Sequence, residues 1–178
     1  MKKDKDLIKQ IKAGSADSLE ELTNRYYDKI FTYSYRVLGS YHDASDVTQD
    51  VFVSMMKALP NYRERNKFSS WLFTIAHNKC MNCIAVRKNH QEIDETIEVL
   101  SSGDFTDNYA DKEYVKNILG VLPENQKETL ILKYYHGFTS KEIGEITNAN
   151  TSTVKSRLYQ GINKLRELIK DGEKFEKK

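Results

Sequence analysis

Proline, glycine and cysteine are all scarce in this sequence. Two prolines and eight glycines in 178 residues leave long uninterrupted stretches, which argues against a turn-dense β fold and for helices. No window approaches the roughly 18 apolar residues that a membrane span needs. The cations of "MKKDKDLIKQIKAG" are followed by no apolar core, so no signal peptide is expected and the cytoplasm is the expected location. Cys80 and Cys83 sit in "HNKCMNCIAV", with His77 three residues before the first. A Cys-x-x-Cys pair can serve redox chemistry or half a zinc site, but zinc needs four ligands and no second pair stands elsewhere. The plainer expectation is two small residues in a packed helix, with no metal and no cofactor. No acid–base pair or phosphate loop accompanies them, so no enzyme is expected.

Charge of one sign is missing locally rather than globally. The whole chain holds 28 Lys+Arg against 26 Asp+Glu. From Asn89 to Asp111, however, there are seven carboxylates (Glu92, Asp94, Glu95, Glu98, Asp104, Asp107, Asp111) and no Lys or Arg. Such a block reads as a solvated, flexible acidic linker. The expected organisation is all-α: a helical domain over 1–88, the linker over 89–111, a second helical domain over 112–172 and a tail over 173–178.

Periodicity fills in the helices. Leu7, Ile8 and Ile11 make a short amphipathic segment stopped by Gly14. Leu19, Leu22, Tyr26, Ile30, Phe31, Val37 and Leu38 recur at helical spacing up to Gly39. Asp43 is expected to open a helix carrying Val47, Val51, Met55 and Leu59, closed by Pro60. A fourth helix is expected over Ser69–Arg87, with Leu72, Ile75 and Ala76 inward and Trp71 nearby. In the C-terminal part Pro123 suits a first helical turn, and Gly137 stops a helix holding Leu130, Ile131 and Tyr134. Thr139 and Glu142 have capping-box spacing. "TNAN" then makes a short turn, after which Thr151 or Ser152 is expected to cap a second helix. Short helix, turn and helix form a helix-turn-helix pattern.

That last helix begins "TSTVKSRLYQGINKLR", which carries Lys155, Arg157, Lys164 and Arg166 and no carboxylate. At 100 degrees per residue Val154, Leu158, Gly161, Leu165 and Ile169 share one side. Ser152, Lys155, Ser156, Tyr159, Gln160 and Asn163 lie on the other. A helix entering a major groove needs such a face, with nothing to repel phosphate and side chains able to reach base edges. Solvated faces elsewhere in the chain mix signs, as "KEIGE" does. DNA contact is therefore expected at Ser152, Thr153, Lys155, Ser156, Arg157, Tyr159 and Gln160.

The N-terminal half carries two further patterns. "HDASDVTQD" sets Asp43, Asp46 and Asp50 along one stripe, which would weaken phosphate binding and suits a basic protein partner. Residues 60–88 hold six cations (Arg63, Arg65, Lys67, Lys79, Arg87, Lys88) against the single anion Glu64, interleaved with Tyr62, Phe68, Trp71 and Phe73. Basic groups with stacking-capable rings are the composition of a single-strand nucleic-acid surface, although aromatics at helical spacing are more often core.

Together these motifs resemble the bacterial extracytoplasmic-function sigma factors, over almost the whole chain. "DASDVTQDVFVSMMKAL" is similar to the core-polymerase-binding helix of sigma region 2. "FSSWLFTIAHNKCMN" is similar to the adjoining promoter-melting segment, and "LPENQKETLILKYYHGFTSKEIGEI" with "TVKSRLYQGINKLR" to region 4. The resemblance implies an alternative sigma factor, released under stress, that brings core RNA polymerase to specific promoters. Asp43, Asp46 and Asp50, with Val47 and Val51, would meet the coiled coil of the β′ clamp, and region 4 the β flap. Arg63, Arg65, Asn66, Lys67, Phe68, Trp71 and Asn78 would hold the −10 element, and the face from Ser152 to Gln160 the −35 element. It also implies an anti-sigma partner, commonly membrane-bound, with no membrane insertion by this chain itself. The family often has glycine at Ser152, aspartate at Asn82, and arginine at Ala85 and Gln160, so individual base contacts differ here. The alternative from the residues alone is a stand-alone helix-turn-helix regulator with an N-terminal sensing domain.

Overall fold

The computed structural model describes residues 2–63, 67–91 and 119–176. The chain divides into two compact units, Met1–Ser102 and Gly103–Lys178. Every regular element among the described residues is helical.

The first unit contains α1 (Asp4–Lys12), α2 (Ala16–Leu38), α3 (Tyr41–Ala58) and α4 (Phe68–Gln91), with a 3₁₀ turn at Leu59–Asn61. Helix ends follow local chemistry. Ser15 accepts from the Ser18 amide at 3.3 Å to start α2, and Gly39 ends it at φ +70°, a conformation open to glycine at little cost. Helix α3 starts earlier than expected: Ser40 is its cap, accepting from the Asp43 amide, and Asp43 lies in the first turn. A carboxylate there is favoured by the partial positive charge of the helix start.

The core is one continuous apolar cluster. Leu22, Ile30 and Tyr33 of α2 meet Val51 and Met55 of α3 and Leu72, Phe73 and Ala76 of α4, all fully or nearly fully buried. Tyr33 and Phe73 pack edge to face at 5.3 Å. Helix α1 adds Leu7 and Ile8 to this core and is fastened by Asp4, which accepts from Arg25 at 2.6 Å and from the Tyr26 hydroxyl at 2.5 Å. Burial and the neighbouring carboxylate both push the Tyr26 phenol well above its usual range. Cys80 is fully buried in α4 and Cys83 half-buried. Burial pushes the Cys83 thiol up, away from the reactive thiolate. No group of three His, Cys, Asp or Glu side chains among the described residues is placed to hold a metal ion.

The second unit contains α5 (Glu124–Leu130) running into a π-helical turn at Ile131–Tyr135, then α6 (Ser140–Ile146) and α7 (Thr151–Glu176). Its core is Leu130, Ile131, Leu132, Ile143, Ile146 and Val154. The capping box is present at the start of α6: Glu142 donates its amide to the Thr139 hydroxyl while its carboxylate accepts from the Thr139 amide at 2.9 Å. Tyr134, in the same helical run as the buried Leu130 and Ile131, is 64% exposed. A π turn runs through this stretch, the His136 amide bonding back five residues to Ile131.

Candidate nucleic-acid interface

Helices α6 and α7 meet through a turn that only a residue without a side chain permits. A Cβ at Gly144 would lie 2.5 Å from the Ala149 carbonyl oxygen, while the Ala149 amide donates to the Gly144 carbonyl at 2.9 Å. This contact sets how α7 leaves the turn. Asn150 caps α7, its Oδ1 accepting from the Thr153 amide and the Ser152 hydroxyl, each at 2.7 Å. The expected cap at Thr151 or Ser152 is thus corrected by one or two residues: the Asn150 carboxamide reaches the orphan amide first.

Along α7, Ser152, Lys155, Ser156, Tyr159 and Gln160 are all exposed, with Tyr159 at 70%. Thr153 and Arg157 are half-buried, toward the flank of that face. Val154 and Gly161 are buried against the rest of the unit. Gly161 packs so closely that a Cβ would sit 3.0 Å from a methyl of Leu130 and 3.7 Å from the Gln126 Cβ. One feature invisible to the helical wheel lies beside it. Gln126 on α5 donates to the Gln160 carboxamide oxygen at 3.0 Å, and the Gln160 nitrogen donates to the Ser156 hydroxyl at 3.2 Å.

In the first unit the basic-aromatic segment separates into platform and surface. Phe68 is 3% exposed, with ring centroids 5.4 Å from Tyr26, 5.7 Å from Tyr62 and 5.4 Å from Trp71. Phe68, expected at the −10 element, is thus enclosed by its aromatic neighbours. Trp71 is half-buried and packs at 4.6 Å on Tyr62. Together with Ala58, Asn61, Tyr62 and Arg63 it lines a shallow cleft of about 390 Å³. Arg63, Lys67 and Asn78 are exposed, whereas Arg65 and Asn66 lie outside the described residues.

The acidic stripe on α3 is also divided. Asp43 pairs with Arg87 and Asp50 with Lys79 at 3.3 Å, both cations coming from α4. Asp46 is 65% exposed and has His42 at 3.4 Å. Burial pulls the Arg87 guanidinium below its usual range, although it stays charged under any ordinary condition. Val47 and Val51, expected at a partner surface, are 7% and 0% exposed inside the bundle. Among the apolar side chains that α3 turns outward are Val53 and Met56, 41% and 44% exposed. Val53 follows Asp46 and Asp50 along the same stripe, at i+7 and i+3.

An acidic helix face, an aromatic cleft flanked by arginine and a helix-turn-helix whose second helix opens without a carboxylate are features that a DNA-recognition protein would use. Residues 22–91 match sigma-70 region 2, and residues 112–165 match sigma-70 region 4. The sequence is 32% identical over 137 residues to RNA polymerase sigma factor SigV of Bacillus subtilis strain 168, covering 74% of this chain and 81% of that one. It is 29% identical over 181 residues to the ECF sigma factor SigW of the same strain, covering 94% and 97%. The fold is similar to that of RpoE solved with the anti-sigma factor NepR from Bartonella quintana, at TM-score 0.76 and 22% identity over 85% of this chain and 96% of that one. It is also similar to CnrH solved with the cytosolic domain of CnrY, at TM-score 0.73 and 22% identity over 94% and 97%. The chain belongs to the extracytoplasmic-function sigma factors of the sigma-70 family. It is therefore an alternative sigma factor, which binds core RNA polymerase and promoter DNA, and not a stand-alone regulator. No helix among the described residues is long and apolar enough to cross a membrane.

Proposed function

We propose that the two units divide promoter recognition between them, with 1–88 acting on polymerase and the −10 element, 112–172 acting on the −35 element, and 89–111 as an acidic linker. The observation that carries this reading is the separation of charge. The exposed stripe of α3 is acidic at Asp46 and Asp50, while residues 151–166 of α7 carry four cations and no anion. One surface suits a basic protein, the other a phosphate backbone.

On α3, Asp46 and Asp50 steer the helix onto the basic coiled coil of the β′ clamp, and Val53 and Met56 supply the apolar contact. Complementary charge of this kind sets encounter and register more than affinity. Asp43 holds α4 in place instead. Trp71 offers a face for an unstacked −10 base, with Arg63, Lys67 and Asn78 alongside for the strand. On α7, Lys155, Ser156, Tyr159 and Gln160 face the −35 major groove, with Ser152, Thr153 and Arg157 toward the backbone, while the unit also meets the β flap. The solved relatives hold anti-sigma factors or partner domains, which supports a similar inhibitory partner here, anchored at the membrane and releasing the chain into the cytoplasm under stress.

A net charge of +2 gives the free protein little general attraction for DNA. A gel-shift comparison tests the division of labour. The isolated chain is expected to shift a promoter fragment hardly at all, and the chain with core polymerase to shift it tightly. Tight, sequence-specific binding by the isolated chain would contradict the proposal.

A further inference from the structure

We infer that Lys12, at the end of α1, positions the −10 cleft by holding the Tyr62 carbonyl, and so supports strand opening through the shape of that cleft. This rests on the assignment of the cleft to an unstacked −10 base.

Helix α1 precedes the residues that match sigma-70 region 2, yet it reaches the chain that lines the cleft. The Lys12 ammonium donates to the Tyr62 carbonyl at 2.6 Å, a bond between residues 50 positions apart. Its direction is fixed by chemistry, because an ammonium can only donate and a carbonyl can only accept. The helix that carries the lysine is itself fastened. Leu7 and Ile8 are buried in the core, and Asp4 ties the start of α1 to Arg25 and Tyr26 of α2. Lys12 also lines an apolar groove with Ile11, Leu59 and Pro60, which gives its methylene stem a surface to follow.

At Tyr62 the chain passes from the 3₁₀ turn into extended backbone, with φ −60° and ψ 129°. The Tyr62 amide donates to the Leu59 carbonyl at 3.1 Å, so the residue is held by its amide on one side and by Lys12 on the other. The Tyr62 carbonyl and the Arg63 amide form one planar unit. Holding that carbonyl therefore sets the direction in which the chain enters Arg63. The Tyr62 ring meanwhile packs at 4.6 Å on Trp71, and Tyr62, Arg63 and Trp71 all line the cleft. Charge-assisted hydrogen bonds are stronger than neutral ones. Without this one the peptide is free to turn, and Arg63 loses its set position relative to Trp71. Lys12 is thus a positioning residue, and its effect must run through the cleft.

The test uses holoenzyme assembled from core polymerase and an excess of the full chain, with strand opening at the −10 element read by permanganate reactivity of thymines. Lys12→Met removes the donor and is expected to reduce opening by about fivefold, the scale of one net hydrogen bond. Lys12→Arg keeps a charged donor and is expected to stay within about twofold of wild type. Lys12 is exposed, so both variants are expected to fold. The deciding measurement places Lys12→Met in a Trp71→Ala background, where the cleft has already lost its stacking face. Little further loss is expected there. An equal loss in both backgrounds, as a direct phosphate contact by Lys12 would give, overturns the inference. So does a Lys12→Met chain that opens promoters like wild type, or a Lys12→Arg chain as defective as Lys12→Met. If Trp71→Ala alone leaves opening unchanged, the assignment of the cleft to the −10 base fails and the inference with it.

Discussion

Arg87 and Asp43 form an ion pair between α4 and α3, and the same guanidinium donates to the Leu38 carbonyl at 2.9 Å. One side chain thereby links the end of α2, the start of α3 and the far half of α4. The pairing holds the Asp43 carboxylate against α4. Arg87→Met should lower stability by about 1–2 kcal/mol, since the pair is part-exposed and only partly screened. Asp43→Asn should cost a similar amount, and the double variant less than the sum. Urea unfolding of the three variants measures this, and full additivity would show that the two side chains act independently.

The reverse is expected of the outer carboxylates. Asp46→Arg with Asp50→Arg should weaken binding to core polymerase by about tenfold or more, because like charges would then face a basic surface. Contacts of the second unit with −35 DNA should be unaffected. A pull-down with core polymerase reads the first effect, and unchanged affinity would remove the role given to the stripe.

Phe68 and Trp71 should separate stability from promoter opening. Phe68→Ala empties a site 3% exposed and should cost about 3–5 kcal/mol. Trp71→Ala should cost less stability but reduce strand opening at the −10 element by about tenfold, the scale of one lost base stack. Thermal unfolding and permanganate reactivity of opened thymines distinguish the two.

The Tyr26 hydroxyl makes alkaline stability a readout of the α1 clasp. Its ordinary value is 10.0 and the folded state raises it, so the native phenol keeps its proton where the unfolded one loses it. The native state then binds more protons above pH 10, and stability is fully present below that point and falls as pH rises through it. Tyr26→Phe should show a shallower decline than wild type above pH 10 in denaturant titrations. Identical slopes would mean that the phenol ionises alike in both states.

Much of this architecture was legible in the sequence because local chemistry decided it. Gly39 and Gly137 both end their segments at positive φ, and the apolar spacing of Val154 and Gly161 located the exposed face of α7. What was not legible depended on partners distant in the chain. Tyr62, Phe68 and Trp71 are equivalent in composition, and only the packing of Tyr26 against Phe68 decides that Phe68 lies inside. The α3 stripe reads as three equal carboxylates until α4 returns with Lys79 and Arg87. Gly144 carried a readable signal, a glycine within a short helix, which often marks close backbone approach. Gln126 carried none, since its bond to Gln160 joins residues 34 positions apart.

Sigma activity is read by transcription in vitro with core polymerase and genomic DNA of the source organism, with and without this chain, and with 5′ ends mapped. New start sites preceded by a shared pair of short elements are expected. An unchanged set of start sites, with core polymerase failing to bind the chain, would contradict it.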